Sequence, residues 1–129
     1  MKFNRTLVTT LGAGVALGAA AMQALHAQAK PPVYVVVDIE EITDAAGYAA
    51  AGGRSTEAAS AAFKEFGGRF LARTNNITAL DGNAPKRAII NAFDSKEKAL
   101  AWFNSAAQKE VSAIRTKTTK SRAFIVEGM

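Results

Sequence analysis

Residues 33–41, Val-Tyr-Val-Val-Val-Asp-Ile-Glu-Glu, constrain the fold more than any other stretch. The run is rich in β-branched residues and is preceded by Pro31-Pro32, so it reads as a strand. Side chains alternate across a strand. One face therefore carries Val33, Val35, Val37 and Ile39, all aliphatic. The other carries Tyr34, Val36, Asp38 and Glu40, apolar at first and polar later. A strand whose two faces both begin apolar belongs in the middle of a sheet covered on both sides.

The remaining pattern supplies one of those covers. Thr43-Asp44 can cap a helix beginning at Ala45, and Gly52-Gly53 is expected to break or kink it near Ala51. Ser55-Thr56 restarts a helix, with Glu57 well placed for its dipole. Ala58, Ala59, Ala62, Phe63 and Phe66 recur at helical spacing, and Gly67-Gly68 ends that helix. Residues 69–74 (RFLART) form a second strand. Residues 75–85 are a loop with a tight-turn signal at Asp81-Gly82. Residues 87–93 (RAIINAF) form a third strand. Asp94 and Ser95 open another helix, with Asp94 and Glu97 as a capping-box variant. Its apolar side is Ala99, Leu100, Trp102 and Phe103. Asn104-Ser105 is expected to kink it before a last helical stretch through Val111 and Ile114. Residues 121–127 (SRAFIVE) are a fourth strand.

The order is β-α-β-β-α-β, an α+β ferredoxin-like plait. Both helical segments then cover one face of a four-stranded antiparallel sheet. The opposite face has aliphatic and aromatic residues and no third helix. The economical cover is a second copy of the chain, giving a homodimer in the form of a dimeric α/β barrel. Two-fold dimers are the commonest closed assembly.

Residues 1–29 have a different character. Lys2 and Arg5 precede an uncharged apolar run, residues 7–21, and Ala27-Gln28-Ala29 is a small-x-small cleavage site. This is the pattern of a secretory signal peptide, cleaved between Ala29 and Lys30. The run is too short and glycine-rich for a membrane anchor. The protein is thus expected to be periplasmic or secreted, with no stable membrane insertion after cleavage and a single domain over residues 30–129. The chain has one His and no Cys, and that residue, His26, leaves with the signal. No disulfide, Cys nucleophile, His-based triad, or zinc site built on Cys or His is then available. No metal and no cofactor is implied. Losing Lys2 and Arg5 lowers the formal net charge of +5 by two. The other basic residues are scattered, so no nucleic-acid partner is implied.

Several runs together resemble a known family. They are Tyr34-Val35-Val36-Val37, then Asp44 and Tyr48, then residues 67–73 (GGRFLAR). Leu80-Asp81-Gly82, Arg87, Phe93, Ser95, Ala99 and Ala101-Trp102-Phe103 follow. Ser105, Ile114-Arg115, Ser121-Arg122 and Val126-Glu127-Gly128 complete the set. The chain resembles domain-of-unknown-function family 1330, small dimeric α/β-barrel proteins, across nearly all of residues 33–128. The resemblance implies the same barrel and no particular activity. Related barrels include cofactor-free oxygenases and small-molecule isomerases, a likeness of fold alone. Where members carry a second tyrosine a turn after the first, this chain has Ala51. Where they carry a tyrosine and then proline-glutamate-tyrosine after the tryptophan, it has Phe103 and Ala106-Ala107-Gln108. The stretch from Gly52 to Ser60 is longer than in members. If those tyrosines shape a pocket, the pocket here is less polar.

Strand alternation nominates a site. With Val33, Val35, Val37 and Ile39 against the helices, Tyr34 and Asp38 face the barrel interior. On the third strand, Ala88, Ile90 and Ala92 are the small set suited to helix packing, which leaves Arg87, Ile89, Asn91 and Phe93 opposite. On the second strand, Arg69, Leu71 and Arg73 share a face. The candidate interior then holds Tyr34, Asp38, Arg73 and Asn91 among apolar residues, with Tyr48 at its mouth. Asp38 is the candidate base; Tyr34, Tyr48, Arg73 and Asn91 are candidate ligand-binding groups. A buried carboxylate gains basicity from burial and loses it beside an arginine. The competing reading of Asp38 and Arg73 is a structural ion pair at the dimer interface. Trp102 and Phe103 read as helix core. The expected function is binding of a small organic molecule between sheet and helices. The alternatives are a cofactor-independent oxygenase- or isomerase-like enzyme using the buried carboxylate, and a structural dimer without ligand.

Overall fold

The computed structural model describes residues 30–54 and 56–129. The segment read as an export signal, and Ser55, read as a helix restart, lie outside them. The elements are β1 (Val33–Ile42), α1 (Ala45–Arg54), α2 (Thr56–Glu65), β2 (Arg69–Thr74), β3 (Arg87–Phe93), α3 (Lys96–Phe103), α4 (Ala106–Thr118) and β4 (Thr119–Glu127). The sheet order is β2-β3-β1-β4, and every neighbouring pair is antiparallel. This is the ferredoxin-like plait, with each helical connection divided into two helices. None of the described helices is long and apolar enough to cross a membrane.

β1 sits between β3 and β4, the position its two apolar faces require. Val33, Val35, Val37 and Ile39 are 1–6% exposed on the helix side. Directly opposite residues of antiparallel strands point to the same face. Phe93, Asn91, Ile89 and Arg87 stand opposite those four residues, so they face the helices too. Ala88, Ile90 and Ala92 pair with Asp38, Val36 and Tyr34 and face away. This reverses the expectation for β3: the bulky set, not the small set, packs under the helices. The alternation along β3 was legible, but its phase is fixed by pairing to β1.

β2 departs from simple alternation as well. A register shift lies between Phe70 and Ala72. The extra residue lets Arg69 pair with Ala92 and Arg73 with Ile89, so the two arginines lie on opposite faces instead of sharing one. A bulge resets the two-residue period in this way.

The helices begin and end for local reasons. Asp44 caps α1, its Oδ1 accepting from the Gly47 N–H at 3.0 Å. The glycine pair does not stop α1, which continues through Gly52-Gly53 to Arg54. Glycine inside a helix costs about 1 kcal/mol relative to alanine, a penalty and not a prohibition. α2 ends at Gly67, whose φ of 75° is in the left-handed region. The Gly68 N–H donates to the Phe63 carbonyl and the Gly67 N–H to the Lys64 carbonyl, a Schellman pair. A Cβ at Gly68 would strike the Phe63 ring, so glycine is needed there for close approach. Ser95, not Asp94, caps α3 by accepting from the Lys98 N–H. The Asp94 carboxylate instead takes Arg69 at 2.9 Å, and that guanidinium holds its carboxyl below the usual value. Ser105 caps α4, so the expected kink is a full break between two helices.

The core is aromatic at one end. Phe63, Phe93 and Trp102 form an edge-and-tilt cluster with ring centroids 5.1–5.7 Å apart. Val33, Val35, Ala62 and Ala99 close around it. Phe93 is fully buried. Phe93→Ala should therefore cost about 3–5 kcal/mol by urea unfolding. Leu80→Ala, at a fully exposed position, should stay within about 0.5 kcal/mol of the parent.

Candidate functional site

A cavity of about 380 Å³ lies between the helix face of the sheet and the helices over it. Its floor comes from the central strands: Val37 of β1 and Ile89 and Asn91 of β3. Its roof is α1 and α4, which present Tyr48 and Ala49, and Val111 and Ile114. Phe63, Phe70 and Trp102 make an aromatic wall, with Phe63 stacked on Phe70 at 4.4 Å and 25°. The volume is within the range of small-molecule sites, which are mostly apolar with a few convergent polar groups.

The polar groups are placed by the same elements. The β1–β3 register delivers Asn91 and Arg87 to the floor. The bulge in β2 delivers Arg73 to the rim, where its guanidinium lies 5.7 Å from the Phe70 ring centroid. On α4, Gln108, Val111 and Arg115 follow one helix face at spacings of three and four. The Gln108 amide nitrogen donates to the Ser112 hydroxyl at 3.4 Å. Burial lowers the Arg115 guanidinium from its ordinary value, while neighbouring Tyr48 acts in the opposite direction.

Four buried side-chain polar atoms among the described residues have no hydrogen-bond partner: Arg87 Nε, Asn91 Oδ1, Trp102 Nε1 and Arg115 Nε. All four residues line this one cavity. Buried polar groups are normally paired, because leaving one unmade costs about 1–3 kcal/mol. Their concentration in a single space, beside an apolar wall, marks the site. Asn91 and Trp102 are 3% and 4% exposed, so solvent at the protein surface does not satisfy them.

The candidate residues divide between the two faces of the sheet. Tyr48, Arg73 and Asn91 meet in the cavity. Tyr34 and Asp38 do not, since the phase of β1 turns them to the far face. There the Asp38 carboxylate accepts from the Nε and Nη2 of Arg122, at 3.1 and 2.9 Å. Its ion pair is thus with Arg122 of the adjacent strand and not with Arg73. Among the described residues no Asp or Glu lines the cavity, so Asp38 is not placed to act as a base there. Arg87, Arg115 and Gln108 were not singled out as site residues, and Trp102 was read as core. Arg115 and Gln108 did carry a signal: both are polar positions on the apolar stripe of α4. Trp102 is core and cavity wall at once.

The family model for a domain of unknown function, DUF1330, matches residues 32–129. The chain belongs to the DUF1330 family. No curated protein matches this DUF1330 chain. Among solved structures, a protein of unknown function from Rhodopseudomonas palustris is similar at 15% identity and a TM-score of 0.59, covering 85% of this chain and 92% of the other. SnoaB, a cofactor-independent oxygenase from Streptomyces nogalater, is similar at 12% identity and a TM-score of 0.52, covering 77% and 94%. A dimeric protein of unknown function and ferredoxin-like fold from Bacteroides fragilis is similar at 13% identity and a TM-score of 0.49, covering 74% and 95%. At these identities the likeness is one of fold.

Two measurements check the site's environment. Trp102 is the only tryptophan of this DUF1330 chain and is nearly inaccessible. Its emission should lie to the blue of free tryptophan, with weak acrylamide quenching; red-shifted, readily quenched emission would contradict the cavity wall. Arg115 is half-buried, and among the described residues no carboxylate lies within salt-bridge distance of it. Arg115→Met should therefore leave stability unchanged or raise it by less than about 1 kcal/mol in urea unfolding, since removing a half-buried charge without a partner is favourable but solvent screening reduces the gain.

Proposed function

We propose that the protein binds a small organic molecule in the cavity between sheet and helices, and that it does so as an exported homodimer. One observation carries the binding reading: the four residues that hold partnerless buried polar atoms all line a single, mostly apolar cavity. A protein that kept this arrangement without a ligand would bear its cost with no return. A bound molecule with its own donor and acceptor would pair those atoms and cover the aromatic wall.

The dimer reading rests on the far face of the sheet. Phe124 and Val126 are 42% and 44% exposed there. The half-buried Tyr34, Val36 and Ile90 lie on the same face. A second copy offers the same apolar face and would cover it by a two-fold contact. In that arrangement the Asp38–Arg122 pair sits at the interface and the cavity stays on the outer side of the sheet. The export reading rests on the basic start, the apolar run and Ala27-Gln28-Ala29.

Native mass spectrometry of the full chain, expressed with its N-terminal segment and isolated from the periplasm, tests all three parts. The expected result is a chain cleaved after Ala29, with twice the monomer mass, plus a bound organic mass lost on gentle activation. A monomer at micromolar concentration would overturn the dimer, and an uncleaved chain retained in the cytoplasm would overturn export. A bare dimer whose melting temperature responds to no small organic compound in a broad screen would overturn binding.

A further inference from the structure

We propose that the cavity selects an organic anion: a flat aromatic body carrying a carboxylate. This deepens the binding reading above and rests on it. The charge of the walls is one-sided. Arg73, Arg87 and Arg115 all border the cavity, and among the described residues no Asp or Glu does. Among the described residues, none of the three lies within salt-bridge distance of a carboxylate; the pairs present use Arg69, Lys96, Lys98, Lys120 and Arg122. Arg87 spends one nitrogen on the Asn75 side-chain oxygen at 2.9 Å and keeps its Nε buried and free, as does Arg115.

Arg87 and Arg115 are half-buried and Arg73 is exposed at the rim; guanidinium groups drawn out of water without counter-charges are costly. They are also the groups best shaped to take a carboxylate through two parallel N–H donors. A carboxylate entering this space would supply both the charge and the acceptors that the protein leaves out.

The arginines are also segregated. Arg73 stands opposite Ile89, and Arg87 lies two residues further toward the same end of β3. Phe70 stands opposite Asn91 at the other end, where it stacks on Phe63 and Trp102 meets Phe63 edge-on. Arg115 joins the arginine end, because it lies in the last turn of α4, which leads into Thr119 opposite Ile42. At about 3.3 Å per strand residue, Arg87 and Asn91 are about 13 Å apart along β3. The cavity thus has a cationic end and an aromatic end. The aromatic end also holds one buried free acceptor, Asn91 Oδ1, and one donor, Trp102 Nε1. The matching ligand puts its carboxylate toward the arginines, its ring against Phe63 and Phe70, and a polar substituent toward Asn91 and Trp102.

Three probes of one shape and different charge test this: 2-naphthoate, 2-naphthamide and 2-(aminomethyl)naphthalene. Each is titrated into the folded protein by calorimetry at neutral pH. The expected order is carboxylate, amide, amine, with at least a tenfold preference for the carboxylate over the amide. Arg115→Met and Arg73→Met should each remove most of that preference, lowering carboxylate affinity more than amide affinity. Because the wild-type comparison needs no variant, a folding defect in either does not blunt it. Equal binding of all three probes, or a preference for the amine, would overturn the anion assignment and leave the binding reading standing. No binding of any probe, together with the silent compound screen described above, would overturn both. A carboxylate preference that survives both arginine substitutions would place the anion elsewhere and overturn the proposal.

Discussion

Everything in this molecule is referred to the register between β1 and β3. Among the described strands, β1 alone has an aliphatic face buried to a few per cent along seven residues. Once that face is turned to the helices, every residue opposite it on β3 follows. Phe93 becomes the fully buried centre of the aromatic cluster. Asn91 becomes a buried amide whose Oδ1 has no hydrogen-bond partner. Arg87 becomes a guanidinium at the cavity floor. A one-residue slip would exchange these for Ala88, Ile90 and Ala92 and abolish both core and cavity.

The same register explains why core and site are continuous. Trp102 packs on Phe93 and Phe63 from one side and borders the cavity with the other. The aromatic wall is therefore held rigid by the hydrophobic core, while the arginine end is built from strand and helix ends. A small domain is only marginally stable, and unpaired buried groups draw on that margin. Their presence in one place is the mark of a region shaped by something other than stability.

The far face of the sheet solves a different problem. It carries an ion pair between adjacent strands, Asp38 with Arg122, set among Tyr34, Val36, Ile90, Phe124 and Val126. Arg122 lies with its guanidinium carbon 5.9 Å from the Phe124 ring centroid. A mostly apolar face with one internally matched charge pair suits contact with a like surface. Asp38 thus has a local structural explanation that owes nothing to Arg73. The two groups are separated by the thickness of the sheet.

The order of elements was legible in the sequence, because two-residue and 3.6-residue periods are local properties. Residues 69–74 and 87–93 are strands with the expected limits, and Asp44 marks a helix start; Asn104-Ser105, read as a kink, is a break between two helices. The buried face of β1 was legible for the same reason. What the sequence left open was phase. The alternation in RAIINAF is plain, yet only pairing with β1 decides that Asn91 and Arg87 point to the helices. The bulge at residues 70–72 is invisible in RFLART, yet it sends Arg73 to the cavity and Arg69 away. Local periodicity determined which residues travel together. Long-range hydrogen bonding between strands distant in sequence decided which side of the sheet they share, and so which of them could form a site.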